Sequence, residues 1–306
     1  MVFKRRERLM GNQFEFTLLG ASASEVESLF DCAITEIQRI ETILTTFSST
    51  SVTATINANA GIQPVQVPDE VFQLIHRSQM LSQMTQGAFD LSYGSIDKRF
   101  WNFDTTMTEL PDPAIAKKSV ALINYTNIIL DYNLQTVYLK EKGMRIGFGG
   151  IGKGFAAEMA RKKLKENGVQ SGIVNASGDL AAWGTQEDGS PWTIGIADPN
   201  AKNGLFAGFQ ITDKAVATSG NYEKYAVIGG KKYSHTIDPK TGFPVSGIKS
   251  VTIIAENAEI ADALATPVTV MGIEVGLDFI NQLQTIGCII IDDNDRIYTS
   301  HNIQLK

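Results

Sequence analysis

The stretch Gly147-Phe148-Gly149-Gly150-Ile151-Gly152-Lys153-Gly154-Phe155-Ala156-Ala157-Glu158, GFGGIGKGFAAE, satisfies two phosphate-binding patterns at once. Residues 147–152 spell G-x-G-x-x-G, the dinucleotide fingerprint, and residues 147–153 spell G-x-x-x-x-G-K, the opening of a P-loop. Either would impose a parallel, doubly wound sheet. The fingerprint needs a buried strand before the glycines and an acid at the end of the next strand. What precedes Gly147 is the polar KEKGMRI; Asn167 stands 20 residues on, and Asp179 comes too late. The P-loop needs Ser or Thr after its lysine to ligate Mg²⁺, and residue 154 is Gly. Two readings survive: glycines that permit tight helix–sheet packing, or an anion site at the N-terminus of a helix with Lys153 in its first turn.

Outward from this stretch the pattern is mixed. NQFEFTLLG (12–20) alternates like a strand, and apolar residues at 26, 29, 30, 33, 34, 37, 40, 43 and 44 predict a helix. Ser24 is its expected N-cap, with Glu27 completing a capping box. The polar SSTSVTATINANAGIQPVQVP reads as a loop, and Asp69 opens a second helix. GAFDLSYGSIDKRFWNFD has no clear period. Short strands follow, then a helix over 152–167 stopped by Gly168, then SGIVNAS, PWTIGIADP, FAGFQITDKAVATSG, KYAVIGGKKYSHTIDP and KSVTIIAE as strands. The chain closes on helices in AEIADALATPVTVMG and EVGLDFINQL and a hairpin in IGCIIIDDNDRIYTS. With no repeating βαβ rhythm, the fold class is α+β, mixed and largely antiparallel sheets with packed helices. Residues 1–306 are expected to form a single domain, or two intimately packed subdomains.

Composition narrows the function. Of 306 residues, 43% are hydrophobic and 20% charged, the net charge is −6, and no long basic run occurs, which excludes an electrostatically driven nucleic-acid binder. Three histidines and two cysteines without C-x-x-C suggest neither zinc nor a disulfide framework, and Cys32 and Cys288 read as core. No apolar run nears the ~18 residues that span a membrane.

Two more stretches carry chemistry. In HTIDPKTGFPV (235–245), Asp238 to Gly242 is a good turn, which leaves His235 unexplained. In EIADALATP (259–267), Asp262 and Thr266 are four apart and share a helix face. A carboxylate and a hydroxyl beside backbone carbonyls make a hard oxygen site suited to Mg²⁺, although such a pair is more often an exposed acid and a back-bonded Thr. Pro267 has no N–H for the Ala263 carbonyl, so a bend or early helix end is expected there.

Together these stretches resemble the ApbE family of FAD:protein FMN transferases along nearly the whole chain. The matching segments, in the family's order, are LMGNQFEF, IETILTTFSSTSVTATIN, GAFD, GFGGIGKGFAAE, NASGD, ATSGNYEKY, HTIDPKTGFPV and ADALAT. The resemblance implies an ApbE-like, T-fold-related architecture. It also implies an enzyme that binds FAD and Mg²⁺, transfers FMN to a Thr or Ser hydroxyl of an acceptor protein and releases AMP. That acceptor is expected to be a subunit of a membrane redox complex. The alternatives are an Mg²⁺-dependent FAD pyrophosphatase giving FMN and AMP, and a non-catalytic flavin-binding protein.

By the same resemblance, Met10, Phe47, Ala88, Phe89, Asp90, Lys153 and Ile237 line the FAD site, with Gly178 allowing backbone approach to the pyrophosphate. The Gly150 carbonyl and the side chains of Asp262 and Thr266 hold the metal. His235 either accepts the proton of the attacking hydroxyl or only holds the Asp238 turn. Three positions depart from the family: Gly147 where many members carry Asp, Phe47 where Tyr is common, and Ala265 where some have a second acid. Many relatives are exported. The Met10 motif lies almost at the N-terminus, as in a mature domain cut from its signal, so the bacterial cell envelope is the expected location and the cytoplasm the alternative.

Overall fold

The computed structural model describes residues 1–197, 205–220 and 224–303. Among these, an eight-stranded antiparallel sheet lays its strands side by side in the order the chain makes them. They are Val2–Leu9, Asn12–Leu19, Gly172–Ala176, Asp179–Trp183, Ala215–Gly220, Ile248–Ala255, Gly287–Asp292 and Ile297–Thr299. Two of its hairpins close with two-residue turns, Met10–Gly11 and Ser177–Gly178. All four residues have positive φ, which matches the right-handed twist of the strands.

The other elements are insertions into this meander. Between the second and third strands come helices α1 (Ala23–Leu44), α2 (Val52–Ala58), α3 (Asp69–Met84), α4 (Pro113–Ser119) and α5 (Gly152–Glu166), with a small sheet of Val65–Gln66, Thr136–Leu139 and Ile128–Asp131. A hairpin of Trp192–Ala197 and Leu205–Ile211 follows the fourth strand. A small sheet of Tyr225–Ile228, Lys231–Ile237 and Pro244–Ser246 follows the fifth. Helices α6 (Ala258–Met271) and α7 (Ile273–Asn281) follow the sixth.

Both faces of the sheet's centre are covered, so the strand Asp179–Trp183 is buried along its length. One face packs on α5 and α6, with α1 beside α5. The other packs Leu180, Ala182 and Val216 against Trp192, Ile194 and Ile211 of the inserted hairpin. Helices α5 and α6 meet closely at Gly154, where a Cβ would stand 2.2 Å from the Ala258 carbonyl oxygen and 2.6 Å from Asp262 Cβ. No other residue fits that contact. Of the glycines in 147–154, Gly154 therefore serves packing, between two helices, whereas Gly147 and Gly149 have room for a Cβ.

Several local expectations change. Ser22, not Ser24, caps α1, its Oγ accepting from Glu25 N at 3.3 Å. The polar stretch SSTSVTATINANAGIQPVQVP is not all loop but contains α2, whose N-cap Ser51 accepts from Ala54 N at 2.9 Å, and the short strand Val65–Gln66. Helix α6 does not end near Pro267 but runs four residues beyond it to Met271. Pro267, Val268 and Thr269 are all buried, and this packing outweighs the one hydrogen bond the proline forfeits. Of ATSGNYEKY, residues 221–223 lie outside the described residues.

Candidate active site

The glycine-rich loop 147–151 leads into α5 without any side-chain cap at Ile151. The first N–H groups of a helix need acceptors. Here the acceptor comes from the protein itself: Asp262 Oδ2 takes a hydrogen bond from Gly154 N at 2.8 Å, and the Lys153 amide also donates to that carboxylate. The amides that a phosphate would use at this helix end are thus engaged by a side chain from α6. The side chain of Lys153 turns to Asp179, with which it forms a salt bridge. Asp179 immediately follows the Ser177–Gly178 turn, so the hairpin delivers it to the start of α5.

Lys153, Asp179 and Asp262 form a buried cluster with two carboxyls to one ammonium. Burial, and next the charge of Asp179, push the Asp262 carboxyl up to about 7, against the pull of Lys153 and the two amides. Burial would lower Lys153, but Asp179 and Asp262 outweigh it and hold the ammonium above its ordinary range. A site left short of positive charge in this way suits a cation. Among the described residues no group of three or more His, Cys, Asp and Glu gathers as a metal cluster. The three oxygens that the resemblance assigns to a metal are of the hard type Mg²⁺ takes: Gly150 and Thr266 line the adjoining cleft, and Asp262 lies one turn before Thr266 on α6.

Beside this cluster opens a cleft of about 470 Å³. Its lining brings together Ala88, Phe89, Asp90, Gly150, His235, Ile237 and Thr266, from four separate parts of the chain. Each wall has a local cause. After α3, Gln86 and Gly87 take positive φ and turn the chain back, and Phe89 N donates to Thr85 Oγ1 at 3.0 Å. Asp90 is a wall brace: Oδ1 accepts from Ser92 N at 2.8 Å and Ser92 Oγ at 2.6 Å, and Oδ2 accepts from Tyr125 N at 2.9 Å. Ile237 N donates to Tyr93 Oη at 3.2 Å, which ties this stretch to the strand Lys231–Ile237.

His235 is exposed at the mouth, and partial burial, beside the charge of Lys224, lowers its pKa from 6.5. The Asp238 turn closes on its own atoms: Lys240 N donates to Oδ1 at 2.8 Å, Thr241 Oγ1 to Oδ2 at 2.9 Å, and Gly242 N to the Asp238 carbonyl at 2.8 Å. None of these bonds uses His235.

Other expected residues stand apart from the cleft lining. Met10 lies at the start of α5, its Cε near Gly152, and its N donates to Glu41 Oε2 at 2.9 Å. Gly178 is in the hairpin turn, its N bonded to Asn175 Oδ1 at 2.8 Å. Phe47 is 99% exposed; its neighbour Thr46 stands 3.8 Å from where a Gly147 Cβ would be, so the two loops adjoin. The structure adds Tyr93, Lys98, Asn102, Phe103 and Ser219 to the cleft. Ser219 and Asp179 lie within ATSGNYEKY and NASGD, whose pattern alone does not mark them as site residues. Tyr93 lies in an aperiodic aromatic run that offers no signal.

The sequence pattern that defines the ApbE family matches residues 10–290. The chain belongs to the ApbE family. Among its relatives, the FAD:protein FMN transferase of Klebsiella pneumoniae (strain 342) is 31% identical over 92% of this chain and 88% of its own length. That of Treponema pallidum (strain Nichols) is 30% identical over 92% of this chain and 82% of its own. Among solved structures, the ApbE protein from Thermotoga maritima superposes with a TM-score of 0.87 at 28% identity, covering 98% of this chain and 97% of that one. The Pseudomonas stutzeri flavinyl transferase ApbE gives 0.85 at 27%, over 98% and 95%. The ApbE fold is therefore this mixed, antiparallel α+β architecture, as the sequence leads one to expect.

Proposed function

We propose that this chain is an Mg²⁺-dependent FAD:protein FMN transferase, joining the FMN moiety of FAD to a Thr or Ser hydroxyl of an acceptor protein and releasing AMP. The observation that carries the reading is the cleft itself. It sets an apolar wall at Ala88, Phe89 and Ile237 beside Thr266 and Gly150, one helix turn from the cation-seeking Asp262. The names of the relatives above point the same way.

In this reading the apolar wall holds the flat rings of FAD, with Met10 and Phe47 closing from their neighbouring loops. The Gly147–Gly150 backbone and the Gly178 turn leave room for the pyrophosphate. Lys153, paired to Asp179, keeps a fixed positive charge beside it. Asp262, Thr266 and the Gly150 carbonyl hold Mg²⁺, which when bound neutralises phosphoryl oxygens. The acceptor hydroxyl oxygen bonds to the FMN phosphorus, the phosphoanhydride P–O bond to AMP breaks with its electron pair leaving on AMP, and neutral His235 takes the hydroxyl proton. The acceptor belongs to a membrane redox complex. Incubation with FAD, Mg²⁺ and a Thr-bearing acceptor domain should raise the acceptor's mass by one FMN. Release of FMN and AMP beside an unmodified acceptor would make the chain a pyrophosphatase, and intact bound FAD would make it a carrier.

A further inference from the structure

A second cavity, about 460 Å³, adjoins the first and is used by none of the chemistry above. The two share Ala88 and Val270, and one turn divides them: Asp238 faces the second cavity and Pro239 the first. Its floor and sides come from the end of α3, the last turn of α6 and the body of α7. They present Met84, Met271, Val275 and Phe279, with Val275 58% and Met84 46% exposed. Helix α7 directs Gly276 and Ile280 into the core and packs Phe279 partly against it, which leaves Val275 turned outward. Lys240, Asp238 and Asp278 add one positive and two negative charges to the groove lining.

We infer that this groove is the docking site for the acceptor protein, which lays an extended segment with apolar side chains along α7 and passes its hydroxyl over Ala88 and Val270 into the cleft. The inference rests on the transferase reading, because a protein nucleophile must enter from a surface continuous with the cleft. The groove's volume is that of a small-ligand pocket, which suits two or three side chains of a segment rather than a whole domain face. Methionines along it adapt to varied side chains. Lys240 near the turn and Asp278 on α7, with Asp238, offer a bound segment charges of both signs at different points of the groove.

The test uses phage-displayed twelve-residue segments with a central Thr as acceptors, exposed to the full chain, FAD and Mg²⁺ and scored for covalent flavin fluorescence. The best-labelled segment then serves as substrate for Val275→Asp and Met84→Gln. Val275 sits in the first turn of α7, where a carboxylate is compatible with the helix, so this variant folds; its Tm checks that. The expected result is an acceptor KM raised about tenfold with kcat, FAD KM and acceptor-free FAD cleavage unchanged. An unchanged acceptor KM in both variants overturns the groove while leaving the transferase reading intact. So does an unchanged acceptor KM accompanied by loss of a wild-type dimer in sedimentation, which would make the groove a self-interface. Absence of any labelled segment with wild-type protein, beside free FMN and AMP, overturns the transferase reading and the groove with it.

Discussion

The floor and the mouth of the site are built on opposite principles. At the floor, Lys153, Asp179 and Asp262 are held where α5, α6 and a tight hairpin converge, and Gly154 admits no side chain. At the mouth, His235 is exposed, and Lys98, Asn102 and Phe103 come from a stretch without helix or strand. Preorganised charge acts most strongly where water is excluded, while a large second substrate needs an open entrance. The lesson is that changes at the floor should disturb fold and chemistry together, and changes at the mouth chemistry alone.

The largest effect is expected at the floor. Lys153→Met leaves two buried carboxyls without their cation and should cost about 3–5 kcal/mol, read from urea unfolding; a loss below about 1 kcal/mol would remove the contrast. Asp262→Ala strips the Gly154 and Lys153 amides of their buried acceptor, so it should lower Tm and also lose turnover by about 10²–10³-fold. It should also lose the Tm rise that Mg²⁺ gives wild-type protein, worth about 2.7 kcal/mol at 100 times Kd. An Mg²⁺-induced Tm shift that survives the substitution would remove Asp262 from the metal site.

At the mouth, His235→Gln should leave Tm unchanged and lower kcat about 10²-fold. Because burial lowers the pKa of His235 from 6.5, the neutral base persists to lower pH than in free histidine. The acid limb of kcat/KM at saturating Mg²⁺ therefore lies below 6.5, falls as pH drops, and disappears in the variant. A limb that persists in His235→Gln would assign it to another group. The smallest effect is expected where floor and mouth meet. Gly147 has ordinary room for a Cβ, 3.8 Å from Thr46 Cγ2, so Gly147→Asp should keep stability within about 0.5 kcal/mol. Its added carboxylate should change Mg²⁺ or FAD affinity, measured by calorimetry; a destabilisation of several kcal/mol would show that the loop is as tightly built as the floor.

Legibility followed the same division. Helices with long apolar periods, α1, α3, α5 and α6, announced themselves in the sequence. Helix α2, VTATINA, did not, because seven residues set in a polar stretch are too few to show a helical period and the helix depends on its Ser51 cap and on Thr53 bonded to the Leu44 carbonyl. The first strand, VFKRRERL, hid behind its charges because it is an edge strand with alternate residues exposed. The recognised motifs named Asp262, Thr266 and His235, but could not tell a residue that touches the cleft from one that braces it. Asp90 spends both its oxygens on Ser92 and Tyr125, and nothing in GAFD discloses that.

By itself the sequence determined the α+β class, the family and the residue types needed for an all-oxygen cation site, since these depend on local pattern and on spacing along one helix. It also excluded the two nucleotide motifs at Gly147–Gly154 by the atoms they lack. Only the tertiary structure decided what receives the amides at the start of α5: a carboxylate 108 residues away, brought there because Gly154 lets two helices touch. A hydrogen bond between elements so distant in the chain depends on close packing, and close packing leaves no periodic mark in a sequence.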